Sequence, residues 1–142
     1  MSILDGSMRV SATGDLPPEH AWARYTEPRR WPAWAPQVRE VDYPHEVVRA
    51  GTHGRVRGPG GLVAVFTVDA VDPAARTWSW SVRSGPLRVS FDHGVEPVGA
   101  DGPGAAGGGS TAWAVVRGPW PVVVGYVPVA RWALGRLVAG TR

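Results

Sequence analysis

His93 belongs to an alternating run in which Val89, Phe91, His93 and Val95 share parity against Arg88, Ser90 and Asp92, so one imidazole shares a strand face with three apolar side chains. In a dry setting desolvation disfavours the imidazolium and keeps the neutral, base-competent ring at physiological pH. The same residue also reads as a satisfied core or hydrogen-bonding histidine. One run earlier, Trp78, Trp80 and Val82 lie opposite Thr77, Ser79 and Ser81, and the indole pair reads either as a ligand wall or as a packing layer. Tyr25 and Tyr126 offer hydroxyls able to orient a carbonyl, and both are also ordinary packing residues. The chemistry such a set can perform is proton transfer by His93, assisted by Tyr25 or Tyr126, on a molecule held by Trp34, Phe66, Trp78, Trp80 and Phe91. A pocket that folds a reactive chain and moves one proton suffices for aldol ring closure followed by dehydration.

Other chemistries lack their residues. There is no nucleophile elbow, no paired-carboxylate motif and no phosphate-cradling glycine loop opening a helix, since the glycine-rich run at 99–109 lies between two strand candidates. Cysteine is absent, and His20, His45, His53 and His93 have no metal-ligand spacing, so neither a metal nor a cofactor is expected. Net charge is +3 and every one of the fifteen basic residues is Arg, scattered along the chain rather than gathered on one helix face. That distribution argues against a nucleic-acid partner. No apolar stretch approaches the roughly 20 residues of a membrane span, and the first residues lack a signal-peptide pattern, so a cytoplasmic location is expected. Oligomeric state is not readable from this chain.

The elements that must position these residues are short and punctuated by proline. A length of 142 residues suits one domain, 1–142, large enough to bury a core. Residues 8–13 alternate as a strand, with Met8, Val10 and Ala12 on one face. Pro17-Pro18-Glu19 opens a short helix through Tyr25, and 27–34 allows one or two further turns before Pro36. Strands are then expected at 38–43, 46–50, 55–57, 62–71, 76–83, 87–95 and 110–117, with Pro44 interrupting the pairing and short turns joining an antiparallel meander. Leu62, Ala64, Phe66 and Val68 share a face, although Val63, Val65 and Val71 make that strand apolar on both sides. Trp113 and Arg117 point the same way, and Ala112, Ala114 and Val116 opposite them favour the outward direction. Asp69 and Glu40 have no evident partner. Residues 122–138 carry apolar positions at helical spacing around Pro128 and are expected to form the last helix. Eight tryptophans on so thin a frame suggest the lining of a cavity.

Strand, two short helices, antiparallel meander and long final helix together resemble the START-like helix-grip fold, an α+β architecture. Four stretches carry the likeness to its polyketide cyclase/dehydrase and lipid-transport superfamily: Pro17-Pro18-Glu19-His20-Ala21-Trp22, Arg30-Trp31-Pro32-Ala33-Trp34-Ala35-Pro36, Ala50-Gly51-Thr52-His53-Gly54-Arg55-Val56 and Arg117-Gly118-Pro119. The resemblance implies a curved sheet of six to seven strands gripping the final helix around an apolar cavity. It implies a small hydrophobic molecule as partner, and either a cofactor-independent cyclase or dehydratase of secondary metabolism or a non-catalytic carrier or sensor. A polar cluster around His93 would favour the enzyme, a wholly apolar cavity the carrier, and a filled core an interaction protein with a vestigial pocket.

Overall fold

The computed structural model describes residues 5–98 and 109–139. Strand β1 (Asp5–Gly14) leads into helix α1 (Pro18–Thr26), then a single 3-10 turn and helix α2 (Trp31–Trp34). Strands β2 (Glu40–Asp42), β3 (His53–Arg57), β4 (Val63–Asp72), β5 (Thr77–Ser84), β6 (Leu87–Pro97) and β7 (Ser110–Pro119) follow, and helix α3 (Trp120–Leu137) ends the described chain. The seven strands form one antiparallel sheet in the order β1-β7-β6-β5-β4-β3-β2. The meander thus runs outward from β7, and β1 returns to lie beside it.

Period-two patterning decides the inner face. Register places Val10 beside Ala114, Ala114 beside His93, His93 beside Trp78 and Trp78 beside Val71, so one lateral row crosses five strands without an outward-facing member. The next row joins Val116, Phe91, Trp80 and Val68. A bulge between Val68 and Ala70 reverses the parity of β4, which puts Val71 inward after Phe66 and Val68, while Val63 and Val65, before the bulge, are exposed on the outer face. The outer face is closed by its own polar contacts. Arg117 pairs with Asp92 at 2.6 Å, Arg9 lies 4.7 Å over the Trp113 ring, and Ser81 Oγ donates to Asp69. Trp113 and Arg117 therefore point outward, while Glu40 pairs with Arg57 across β2 and β3.

Helix α3 packs on β1, β7 and both short helices, closing the inner face. Residues 120 and 121 already belong to it, and it continues through Pro128. Pro128 and Val124 are both exposed, so the carbonyl deprived of its helical donor sits on a face open to water. Arg24 of α1 donates to the Arg136, Leu137 and Ala139 carbonyls, satisfying the orphan acceptors at the C-terminal end of α3. Leu16 N–H donates to the Val138 carbonyl at 3.0 Å, tying the exit of β1 to the same end.

One expected strand does not form. Residues 46–50 are irregular, because Pro44 breaks the ladder and the segment is bonded elsewhere: Val48 N–H donates to the Thr26 carbonyl and Arg49 N–H to the Tyr43 hydroxyl. The expected strand at 38–43 shortens to β2 for the same reason. Most of the glycine-rich run at 99–109 lies outside the described residues.

Candidate functional site

Seven of the eight residues singled out for chemistry or binding line one cavity between the sheet, α2 and α3. Tyr25, His93 and Tyr126 do so, as do Trp34, Trp78, Trp80 and Phe91. The free space inside it amounts to about 50 Å³. Phe66 does not reach it. Phe66 is wholly buried one layer behind, its ring 5.7 Å from that of Trp31 and 4.9 Å from that of Trp80, in the gap left by Gly54 across the strand pair. A Cβ at Gly54 would come within 2.3 Å of that ring, so the glycine is what admits the phenylalanine.

Tyr25, 1% exposed, crosses from α1 to the sheet. Its hydroxyl donates to the Trp113 carbonyl at 2.8 Å and lies 2.8 Å from His93 Nδ1. A carbonyl only accepts and a phenol has one proton, so the Tyr25 proton is committed to Trp113 and the histidine contact must be Nδ1–H donating to the Tyr25 oxygen. The neutral imidazole is then the Nδ1–H tautomer, and Nε2 carries a bare lone pair. That atom is buried and has no partner among the described residues. Burial lowers the His93 pKa to about 3, so the ring is uncharged at neutral pH. Burial likewise raises Tyr25 well above its ordinary value, with a smaller contribution from Tyr126, and the phenol keeps its proton. With its proton on the Trp113 carbonyl, the Tyr25 hydroxyl holds the imidazole in place.

The tryptophans divide by what their N–H groups do. In α2, Trp31 donates to the Tyr25 carbonyl at 2.9 Å and Trp34 to the Arg24 carbonyl at 3.1 Å, so both indoles fasten the end of α1 while presenting rings to the cavity. On β5 the indole N–H groups of Trp78 and Trp80 are buried without an acceptor. Their ring centroids lie 4.6 and 6.0 Å from that of His93. Trp113 lies on the outer face, Trp22 is half-buried on α1 outside the lining, and Trp120 and Trp132 are exposed on α3, so four of the eight tryptophans line the cavity.

Gln37 and Trp31 also line the cavity, though sequence reasoning did not select them. Trp31 stands three residues before Trp34, a helical spacing that was available. Gln37 sits in an aperiodic stretch after Pro36, where no pattern marks it. Its Nε2 donates to the Tyr126 hydroxyl at 2.7 Å, joining the α2–β2 connection to α3, while its Oε1 is buried without a partner. Burial pushes Tyr126 up to about 12, the Gln37 bond opposing this in part. Among the described residues no Arg, Asp or Glu lines the cavity, and the chain has no Lys. Among the described residues no cluster of His, Asp or Glu could hold a metal, and no helix is long and apolar enough to cross a membrane.

A family described as "Polyketide cyclase / dehydrase and lipid transport" matches residues 5–142. No curated protein matches the sequence. Among solved structures, hypothetical protein jhp0584 from Helicobacter pylori superposes with a TM-score of 0.68 at 12% identity, covering 94% of this chain and 85% of that one. The structure titled Ara h 8.0201 gives 0.67 at 17% identity, covering 94% of each chain. Likeness at these identities concerns the fold.

Proposed function

The chain belongs to the polyketide cyclase/dehydrase and lipid transport family, and from that premise we propose that it binds a small hydrophobic molecule in this cavity and promotes its ring closure and dehydration. The observation that carries the reading is the hydrogen-bond chain from His93 through the Tyr25 hydroxyl to the Trp113 carbonyl, from which the tautomer of His93 follows. Tyr25 and the Trp113 carbonyl fix Nδ1–H, which leaves Nε2 as a lone pair aimed away from Tyr25 with nothing in the protein to neutralise it. In the proposed sequence Nε2 takes a proton from an activated methylene and the electron pair moves to the adjacent carbonyl oxygen. The Trp78 and Trp80 N–H groups receive that charge. The enolate carbon attacks a second carbonyl, whose oxygen takes the proton back from Nε2–H. A second proton removal at the same carbon and departure of the hydroxyl, protonated by Nε2–H, releases water.

A pKa of about 3 makes the isolated imidazole a weak base. An enolate forming beside it stabilises the imidazolium and raises that value in the transition state, which is how a dry site can use it. The nearly apolar wall supports the second reading, a carrier that leaves its ligand unchanged. Mass spectrometry of what co-purifies with the protein, followed by incubation with wild type and His93→Phe, separates the two. Conversion by wild type, reduced by about 10²- to 10⁴-fold in the variant, is expected. Recovery of the molecule unchanged from both assigns a carrier.

A further inference from the structure

Four residues that line the cavity carry a buried polar atom without a partner among the described residues: the indole N–H groups of Trp78 and Trp80, which can only donate, and His93 Nε2 and Gln37 Oε1, which in the tautomer fixed by Tyr25 can only accept. Trp78 is 3% and His93 7% exposed, so bulk water does not serve them. Buried polar groups are paired in nearly all folded proteins, and four on one cavity is a concentration that packing alone does not explain. The other two indoles on this wall, Trp31 and Trp34, are both satisfied by backbone carbonyls. The orphans are confined to β5, β6 and the Gln37 segment.

Resting on the reading of this cavity as a ligand site, we propose that it selects an uncharged molecule bearing both a hydroxyl and a carbonyl-type acceptor, and rejects carboxylates. The hydroxyl donates to His93 Nε2 or Gln37 Oε1, and the carbonyl accepts from Trp78 or Trp80. A hydrocarbon of the same shape would fill the space and leave all four atoms unpaired. A carboxylate brings acceptors only, leaves both protein acceptors unpaired, and buries a charge where no Arg or Lys lines the wall. A free fatty acid, the simplest lipid a carrier could hold, is therefore the wrong chemistry for this wall.

The test titrates the full chain, labelled with ¹⁵N, with four one-ring probes: 3-hydroxyacetophenone, acetophenone, ethylbenzene and 3-hydroxybenzoate. The indole N–H resonances of Trp78 and Trp80 are assigned by Trp78→Phe and Trp80→Phe. 3-Hydroxyacetophenone should bind at least about ten-fold more tightly than ethylbenzene, as expected for one hydrogen bond to an otherwise orphaned buried group. It should move a Trp78 or Trp80 indole signal while those of Trp31 and Trp34 stay near their free positions, and 3-hydroxybenzoate should be the weakest of the four at neutral pH. His93→Phe should lower the preference for 3-hydroxyacetophenone over acetophenone. If that variant does not fold, the wild-type His93 imidazole ¹⁵N signals report the same bond, Nε2 moving on addition of 3-hydroxyacetophenone and not of acetophenone. Ethylbenzene binding as tightly as the hydroxyketone, or the carboxylate binding tightest, overturns the assignment of ligand class and leaves the cavity reading intact. Silence of every indole signal to all four probes overturns both.

Discussion

His93 and Tyr25 form a pair in which each fixes the other's proton, and the consequences are measurable on the protein without any substrate. Because burial depresses the His93 pKa from 6.5 to about 3, the unfolded chain binds a proton there more readily than the folded one. The stability contribution is therefore complete above about pH 6.5 and is lost as pH falls toward 3, by an amount on the order of 5 kcal/mol. Urea unfolding across that window should show wild type losing stability more steeply than His93→Phe; parallel curves would mean that the imidazole is not held neutral. Tyr25→Phe removes the acceptor for Nδ1–H and strands the Trp113 carbonyl, at a cost of about 1–3 kcal/mol per orphaned group. Its more specific effect should be spectroscopic: imidazole ¹⁵N shifts should report a mixture of tautomers in place of one. A single unchanged tautomer in Tyr25→Phe would remove Tyr25 from its positioning role. The alternation of β6 already placed His93 inward from sequence, but nothing in the residue order revealed that Tyr25 would spend its proton on a backbone carbonyl.

At the scale of elements, α1 and α2 hold the cavity through side-chain bonds to backbone rather than through length. Trp31 and Trp34 cap α1, Arg24 caps α3, and Arg136 donates to the Ala33 carbonyl at 2.8 Å. A four-residue helix has little stability of its own, so these contacts define its place. The one side-chain bond joining the α2–β2 connection to α3 across the cavity lining is Gln37 to Tyr126, among the described residues. Gln37→Ala should speed entry and exit of an apolar dye, followed by stopped-flow Trp emission, several-fold, with a smaller change in Kd than in either rate. Unchanged rates would show that ligands enter elsewhere. Proline and alternation made α1, α2, β5 and β6 legible in the sequence. Strand β2 and the 46–50 segment were misjudged because Tyr43, Thr26 and Thr52 supply bonds from other elements, which no local pattern encodes. The bulge in β4 hid behind valines suited to either face; the inward parity of Phe66 was legible, but the space that Gly54 leaves for its ring, one layer behind the cavity, was not.

Across the whole molecule, the order of elements and the inward Trp78, Trp80, Val82 pattern were sufficient to specify the grip of a curved sheet on a C-terminal helix. The tryptophan count was a poorer guide, since Trp113 serves the outer face and Trp120 and Trp132 face solvent. Pairing of β1 with β7 brings Val10 against Ala114, residues about a hundred positions apart in the chain. During synthesis β1 must wait, unpaired, until every other strand has emerged, and the aromatic face stays uncovered until α3 follows. Contacts of such separation make folding slow for its size, in the range of milliseconds to seconds. Refolding from urea should accordingly recover the buried-Trp signal late and together with β1 protection in pulsed hydrogen exchange; early protection of β1 would contradict this order. Chaperone dependence of the nascent chain is then set by the wait for β7 and α3 to leave the ribosome, more than by the stability of the finished fold.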